Sequence, residues 1–206
     1  MNLVHMVRPA PEEGAPGLLL LHGRGADEAD LMGLEEALDP RLAVVSARAP
    51  FRWGPGFAWS GVGPEEAETM RASLEELWRF VGDLPAAYGI DPRRLYLMGF
   101  SQGAVMSAAL ALTIPEQVRG VIMHSGYVPT HAGLPLKPEQ IRGKPFFLAH
   151  GKYDDLIPVE LGRASQHYLS SHAARLTYQE YPIGHTISEE SLYDLSEWLT
   201  LELDNT

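Results

Sequence analysis

Short apolar runs alternate along the chain with longer segments in which apolar residues recur every three or four positions. The runs predict strands at Leu3–Arg8, Gly17–His22, Leu42–Ala47, Leu95–Phe100, Val118–Met123, Pro145–His150 and Arg175–Tyr181. The helical spacing predicts helices over Glu28–Leu38, from Glu65 to about Asp83, over Gln102–Leu112 and Val159–Ser171, and from Ser188 to about Leu203. Asp27 is placed to cap the first helix and Pro40 to close it, while Pro85 disturbs the second. Asp91-Pro92 reads as a turn, Arg48–Gly63 as an aromatic loop rich in Gly and Pro, and one helical turn is expected near Glu139. Strands that are apolar nearly throughout are buried on both faces. The alternation therefore predicts an α/β fold: a mostly parallel sheet covered by helices on both sides. No repeat and no linker interrupts the pattern, so residues 1–206 are expected to form one domain. In such sheets, sites lie beyond the carboxyl ends of the strands.

Composition narrows the chemistry. The 206 residues include no cysteine, which removes thiolate catalysis, and 27 carboxylates oppose 16 Lys and Arg for a net charge of −11. The basic residues form no stripe, so a nucleic-acid groove is not expected. Residues 1–14 lack a basic segment followed by an apolar one, and the run Ala104–Ile114 is too short to span a bilayer. A cytoplasmic protein without a membrane span is the expectation. Eight histidines include no His-Glu-x-x-His helix, and no Walker phosphate loop occurs, so neither metal nor cofactor is expected.

The most informative segment is Leu95-Tyr-Leu-Met-Gly-Phe-Ser-Gln-Gly103, a G-x-S-x-G pattern set between a predicted strand and a predicted helix. Chance gives about 0.1 such matches in this composition, so the flanking elements carry the weight. Gly99 and Gly103 relieve crowding around a sharp turn that would expose Ser101. A serine hydroxyl needs a base, itself oriented by a carboxylate, and on this type of fold the chain order is Ser, acid, His. Only Asp154 and Asp155 lie between Ser101 and the last histidine as aspartates after a strand. Asp154 is favoured as the acid, and Asp155, nearer the next helix, as a cap. His167 and His172 sit in or at the end of a polar-faced helix. His185, in the loop between the last strand and the last helix, is assigned as general base. Oxyanion donors are expected from the backbone N–H of Gln102, after the nucleophile, and of Arg24, in the early turn Leu21-His-Gly-Arg-Gly25. His22 is read as structural. Phe57 and Trp59 of the aromatic loop, with Leu156, Ile157 and Ile183, are candidates for the substrate pocket.

Taken together, Leu-His-Gly-Arg-Gly (21–25), Gly-Phe-Ser-Gln-Gly (99–103), Ser-Gly-Tyr-Val-Pro (125–129), His-Gly-Lys-Tyr-Asp-Asp-Leu-Ile-Pro (150–158) and Gly-His (184–185) resemble the phospholipase/carboxylesterase family of α/β-hydrolases. That family includes bacterial serine carboxylesterases and acyl-protein thioesterases. The resemblance implies an α/β-hydrolase fold without a separate lid, and a carboxylesterase that cleaves small or short-to-medium acyl esters through an acyl-enzyme on Ser101. Thioesterase or lysophospholipase activity is the near alternative, and an inactive scaffold serving as a binding module is the reading from another class. The family's pattern places the acid on Asp154, and a homodimer is compatible with it. The chain departs from the family in having Arg24 where a hydrophobic residue is frequent, and Ala104 where a further Gly is frequent. A guanidinium at the rim points to a polar or anionic substrate portion.

Overall fold

The computed structural model describes residues 2–205. Seven strands form one sheet: β1 (His5–Arg8), β2 (Ala15–Leu21), β3 (Ala43–Ala47), β6 (Ile90–Phe100), β7 (Gly120–His124), β8 (Pro145–Gly151) and β9 (Arg175–Tyr181). Their spatial order is β1-β3-β2-β6-β7-β8-β9. Only β1 runs antiparallel, against β3, and every other pair is parallel. A two-stranded antiparallel hairpin, β4 (Phe51–Trp53) and β5 (Gly56–Ala58), lies outside the sheet.

The apolar strands serve two cores with a period of two residues. From β2, Leu19 and Leu21 enter one core and Leu18 and Leu20 the other, and β6 divides Leu95 and Leu97 from Tyr96 and Met98 in the same way. The first core is closed by α2 (Glu66–Tyr88), through Leu77, Phe80 and Leu84, by α3 (Gln102–Thr113) and by Leu169 of α4 (Val159–Ser171). The second is closed by α1 (Glu28–Met32), through Leu31 and Met32, and by α5 (Glu189–Asp204), through Leu195, Leu199 and Leu203. Every residue of α3 is buried, which explains why its apolar run carries no polar face.

The structure departs from the sequence expectation in four places. The first helix stops at Met32, before Gly33, and the chain tightens into a 3-10 turn at Glu35–Ala37. Helix α2 passes Pro85 and ends at Gly89, which adopts φ 62° and returns its N–H to the Pro85 carbonyl. A proline this near the end forfeits one hydrogen bond and little else. The Asp91-Pro92 turn is absorbed inside β6: two steps on β2, Ala15 to Gly17, oppose five on β6, Ile90 to Leu95. Asp91 Oδ1 accepts the Arg93 N–H at 2.9 Å and holds that irregularity. The aromatic loop contains the β4–β5 hairpin, turned at Gly54 with φ 57°. Its second strand is tied to the turn after β2, since Gly25 N–H donates to Phe57 O at 2.7 Å and Phe57 N–H to Ala26 O at 2.9 Å.

Candidate active site

Ser101 follows β6 directly and precedes the first residue of α3. Its backbone takes φ 55°, a conformation an L-residue holds only when its surroundings impose it, at a cost of about 1–3 kcal/mol. The imposing contacts are tight. A Cβ on Gly99 would stand 2.2 Å from Gly103 O, and one on Gly103 would stand 1.9 Å from Leu21 O. The Ser101 N–H is fixed to His124 O at 2.9 Å. With the serine turned out in this way, the N-terminus of α3 begins beside its hydroxyl.

Two later loops bring partners to it. Asp154 follows β8 and His185 follows β9, both at the carboxyl edge of the sheet. His185 Nε2 lies 2.9 Å from Ser101 Oγ, and His185 Nδ1 lies 2.7 Å from Asp154 Oδ2. The other carboxylate oxygen, Oδ1, accepts the N–H groups of Leu156 at 3.0 Å and Ile157 at 2.8 Å. Burial pushes the Asp154 carboxyl up, but the Ile157 N–H, His185 and the Leu156 N–H together outweigh it and hold the group below the ordinary aspartate value. Phe100 packs against the imidazole of His185, ring centre to ring centre 4.9 Å.

Asp155 is exposed, and α4 starts at Pro158 without a side-chain cap, so the cap expected from Asp155 does not form. Asp154 instead closes the loop through its own turn. The loop has a second anchor in His150, buried in β8, whose Nε2–H donates to Ile157 O at 2.7 Å and stands 3.6 Å from Asp154 Oδ2.

A cavity of about 580 Å³ opens over Ser101 and His185. Gly23, Arg24 and Gln102, the last two expected to supply oxyanion donors, line it together with Ser101. Gln102 N–H is among the first of α3 and has no intrahelical acceptor. Leu156 and Ile157 also line the cavity.

The remaining pocket candidates lie elsewhere. Trp59 is fully buried, its indole N–H given to His22 O at 2.9 Å, and it belongs to the first core. Phe57 is held between the guanidinium groups of Arg48 and Arg52, 4.5 and 5.0 Å from its ring centre. Ile183 packs on the second core. The aromatic side chains of this loop thus brace the site and do not form its wall. The wall comes from Ser60, Glu66, Met70, Phe100, Val105, Tyr127 and Leu161, which the sequence reading did not single out. Helical spacing in α2 and α3 marks Met70 and Val105 as inward-facing but not as facing this cavity.

Two buried groups complete the surroundings. The Gln102 side chain accepts the Trp59 N–H at 2.7 Å and donates to Ser60 O and Oγ at 3.1 and 2.8 Å, tying the start of α3 to the end of the hairpin. His22 is kept neutral by burial, which lowers its pKa, and joins Gly23 O at 2.7 Å to the Ala49 N–H at 3.0 Å. It braces the turn that presents Arg24, in keeping with a structural role.

The model of the phospholipase/carboxylesterase family matches residues 4–203. The chain belongs to the phospholipase/carboxylesterase family. A probable carboxylesterase of rice (Oryza sativa subsp. japonica) is 30% identical over 139 residues, covering 66% of this chain and 52% of that one. MhqD of Bacillus subtilis strain 168 is 28% identical over 186 residues, covering 88% of this chain and 90% of its own. The chain thus spans about half the length of the rice relative and nearly all of MhqD. Among solved structures, the Bacillus cereus carboxylesterase superposes with a TM-score of 0.87 at 24% identity, covering 98% of this chain and 95% of that one. The fold of this family member is accordingly that of an α/β-hydrolase, with no separate lid among the described residues.

Proposed function

We propose that the protein is a cofactor-independent serine carboxylesterase acting on small or short-to-medium acyl esters. The observation that carries the reading is the connected series Asp154 Oδ2, His185 Nδ1, His185 Nε2 and Ser101 Oγ, with separations of 2.7 and 2.9 Å, ending on a serine held at positive φ. Ser101 Oγ attacks the acyl carbon as its proton passes to His185 Nε2. Asp154 holds the imidazole by Nδ1–H and stabilises the imidazolium that forms. The carbonyl oxygen becomes an oxyanion facing the N–H groups of Arg24 and Gln102, which are fixed before the reaction begins. Collapse of this intermediate breaks the bond to the alcohol oxygen, which takes the proton from His185, and leaves the acyl group on Ser101. Water then repeats the sequence, donating its proton to His185, and releases the acid and free Ser101.

A thioester passes through the same oxyanion, so a thioesterase is this mechanism with a thiol leaving group. Ser101→Ala tests the assignment: ester turnover should fall by about 10⁴-fold or more with the thermal transition retained. A fluorophosphonate probe should label Ser101 and fail to label it in a His185→Ala variant. Folded protein that neither turns over esters nor takes the label would instead fit a binding scaffold.

A further inference from the structure

Several arginines in this chain are paired with carboxylates. Arg41, Arg48, Arg93, Arg163 and Arg175 each hold a carboxylate, Arg48 through Glu28 at 2.5 Å. Arg24 differs. No carboxylate among the described residues lies within ion-pair distance of it, and its guanidinium rests over the Trp53 ring, 5.1 Å from the centroid, with Nη2 donating to Gly61 O at 3.4 Å. A guanidinium stacked on an indole is pre-ordered yet keeps its in-plane donors available. The residue lines the same cavity as Ser101, Gln102 and His185.

Glu66 and Tyr127 line the same cavity. The Tyr127 hydroxyl is pushed up by burial and by Glu66 and pulled back by Arg24, so both charges act on one point of the wall. The turn bearing Arg24 is fixed to the hairpin bearing Trp53, and a Cβ on Gly56 would stand 2.0 Å from Gly25 O. These contacts fix the backbone of the turn that carries the guanidinium. Arg24 and Glu66 thus line one cavity without forming an ion pair, in a protein whose net charge is −11.

We infer that Arg24 is a specificity-determining residue that receives a carboxylate carried by the substrate, making esters with a single negative charge the preferred substrates of this site. The inference rests on the serine-esterase reading above. A carboxylate matches the planar fork of the guanidinium in two parallel hydrogen bonds. Glu66 sets the limit on charge. One negative charge is met by Arg24, whereas a phosphate dianion would leave a second charge facing the Glu66 carboxylate. The carboxylate can sit on the acyl or on the alcohol portion, and the two arms of the test distinguish them.

The test compares matched esters by titrating released acid at pH 7: monoethyl adipate against ethyl hexanoate for a charge on the acyl side, and 4-acetoxybutanoate against butyl acetate for a charge on the alcohol side. In the intact enzyme at least one carboxylate ester should exceed its neutral counterpart in kcat/KM by about tenfold. Arg24→Met should bring that ratio to about one or below, Arg24→Lys should retain part of it, and Glu66→Gln should raise it. The ratio, not the absolute rate, is the readout, because the Arg24 backbone also faces the oxyanion. Trp53→Leu, which removes the support and not the charge, should lower the ratio less than Arg24→Met. Arg142→Met, at the opposite end of the sheet, should leave it unchanged. Neutral esters turned over as well as carboxylate esters in both arms, a ratio insensitive to Arg24→Met, or an equal drop in Arg142→Met would each overturn the inference while leaving the esterase reading intact. Preference for 2-acetoxyethyl phosphate over the carboxylate esters would overturn the limit assigned to Glu66. Failure to turn over any ester would overturn both readings.

Discussion

Replacing Gly103 with alanine adds one methyl group where the structure has no space for it. The new Cβ would lie 1.9 Å from Leu21 O, 2.5 Å from Leu21 C and 2.7 Å from His22 O. All three are backbone atoms of β2 and the turn after it, so no side chain can rotate away. Real Cβ contacts hardly ever fall below 3.0 Å, which means that α3 and β2 must part by about 1.1 Å. Overpacking of this kind costs about 1–3 kcal/mol, and a rigid backbone neighbour places the estimate at the upper end. The displacement falls between Ser101–Gln102 on one side and Gly23–Arg24 on the other, the two segments that frame the proposed oxyanion. A misplacement of about 1 Å there should lower kcat by about 10²-fold or more. Gly82→Ala is the internal reference, because a Cβ there meets nothing within 4 Å on the exposed side of α2. Helix propensity then favours alanine by about 0.5–1 kcal/mol. Urea unfolding and steady-state ester hydrolysis of the two variants check the reasoning. A Gly103→Ala protein within about 0.5 kcal/mol of the parent and with undiminished kcat would refute the claim that this contact sets the geometry of the site.

Asp154→Asn should lower kcat by about 10³–10⁴-fold, because it removes the charge that stabilises the imidazolium, whereas exposed Asp155→Asn should change neither rate nor stability beyond about 0.5 kcal/mol. Steady-state kinetics and unfolding curves on both separate the two adjacent aspartates. Arg163 holds the Glu180 carboxyl, with help from Tyr178, down at about 2, below an ordinary value of 4.5. A depressed carboxylate adds stability above its unfolded pKa and loses it as pH falls through the folded one. Glu180→Gln should therefore be less stable than the parent at pH 7, by about 1 kcal/mol or less because Arg163 is half exposed, with the gap closing between about pH 4.5 and 2 in a melting series. Arg175 grips Glu202, whose side chain is only 4% exposed, so Arg175→Met strands a buried carboxylate and should cost about 3 kcal/mol in urea unfolding. The double replacement Arg175→Met with Glu202→Met should recover most of that loss.

The fold was legible because its strands announce themselves twice, as runs and as alternation. Leu18–Leu21 has no polar residue, which already demands two cores, and α3 has no polar face, which demands burial all round. Element ends were less legible. Pro85 ends a helix only when the lost hydrogen bond matters, and four positions before a Gly cap it matters little. Asp91-Pro92 does turn the chain, but inside a strand whose partner tolerates three extra residues, a fact that belongs to the pairing and not to the dipeptide.

The site divided along a similar line. Ser101, Asp154 and His185 could be picked out because each chemical role admits few residue types, and chain order on this kind of fold leaves few positions. Pocket walls have no such grammar. Trp59 and Phe57 share a loop and a hydrophobic character with what a substrate groove needs, yet one completes the core under His22 and the other is taken up by Arg48 and Arg52. What decides is which neighbours reach them first, and those neighbours, Gln102 and the arginines, act through side chains that the sequence motif leaves unspecified. Gln102 was assigned through its backbone alone. Its amide also binds Trp59 and Ser60, so the same residue whose N–H is proposed to meet the oxyanion fastens the chain that follows the hairpin on which Arg24 leans. Arg24 thus sits on a turn that this hairpin holds, and the substrate preference inferred for its guanidinium depends on that support.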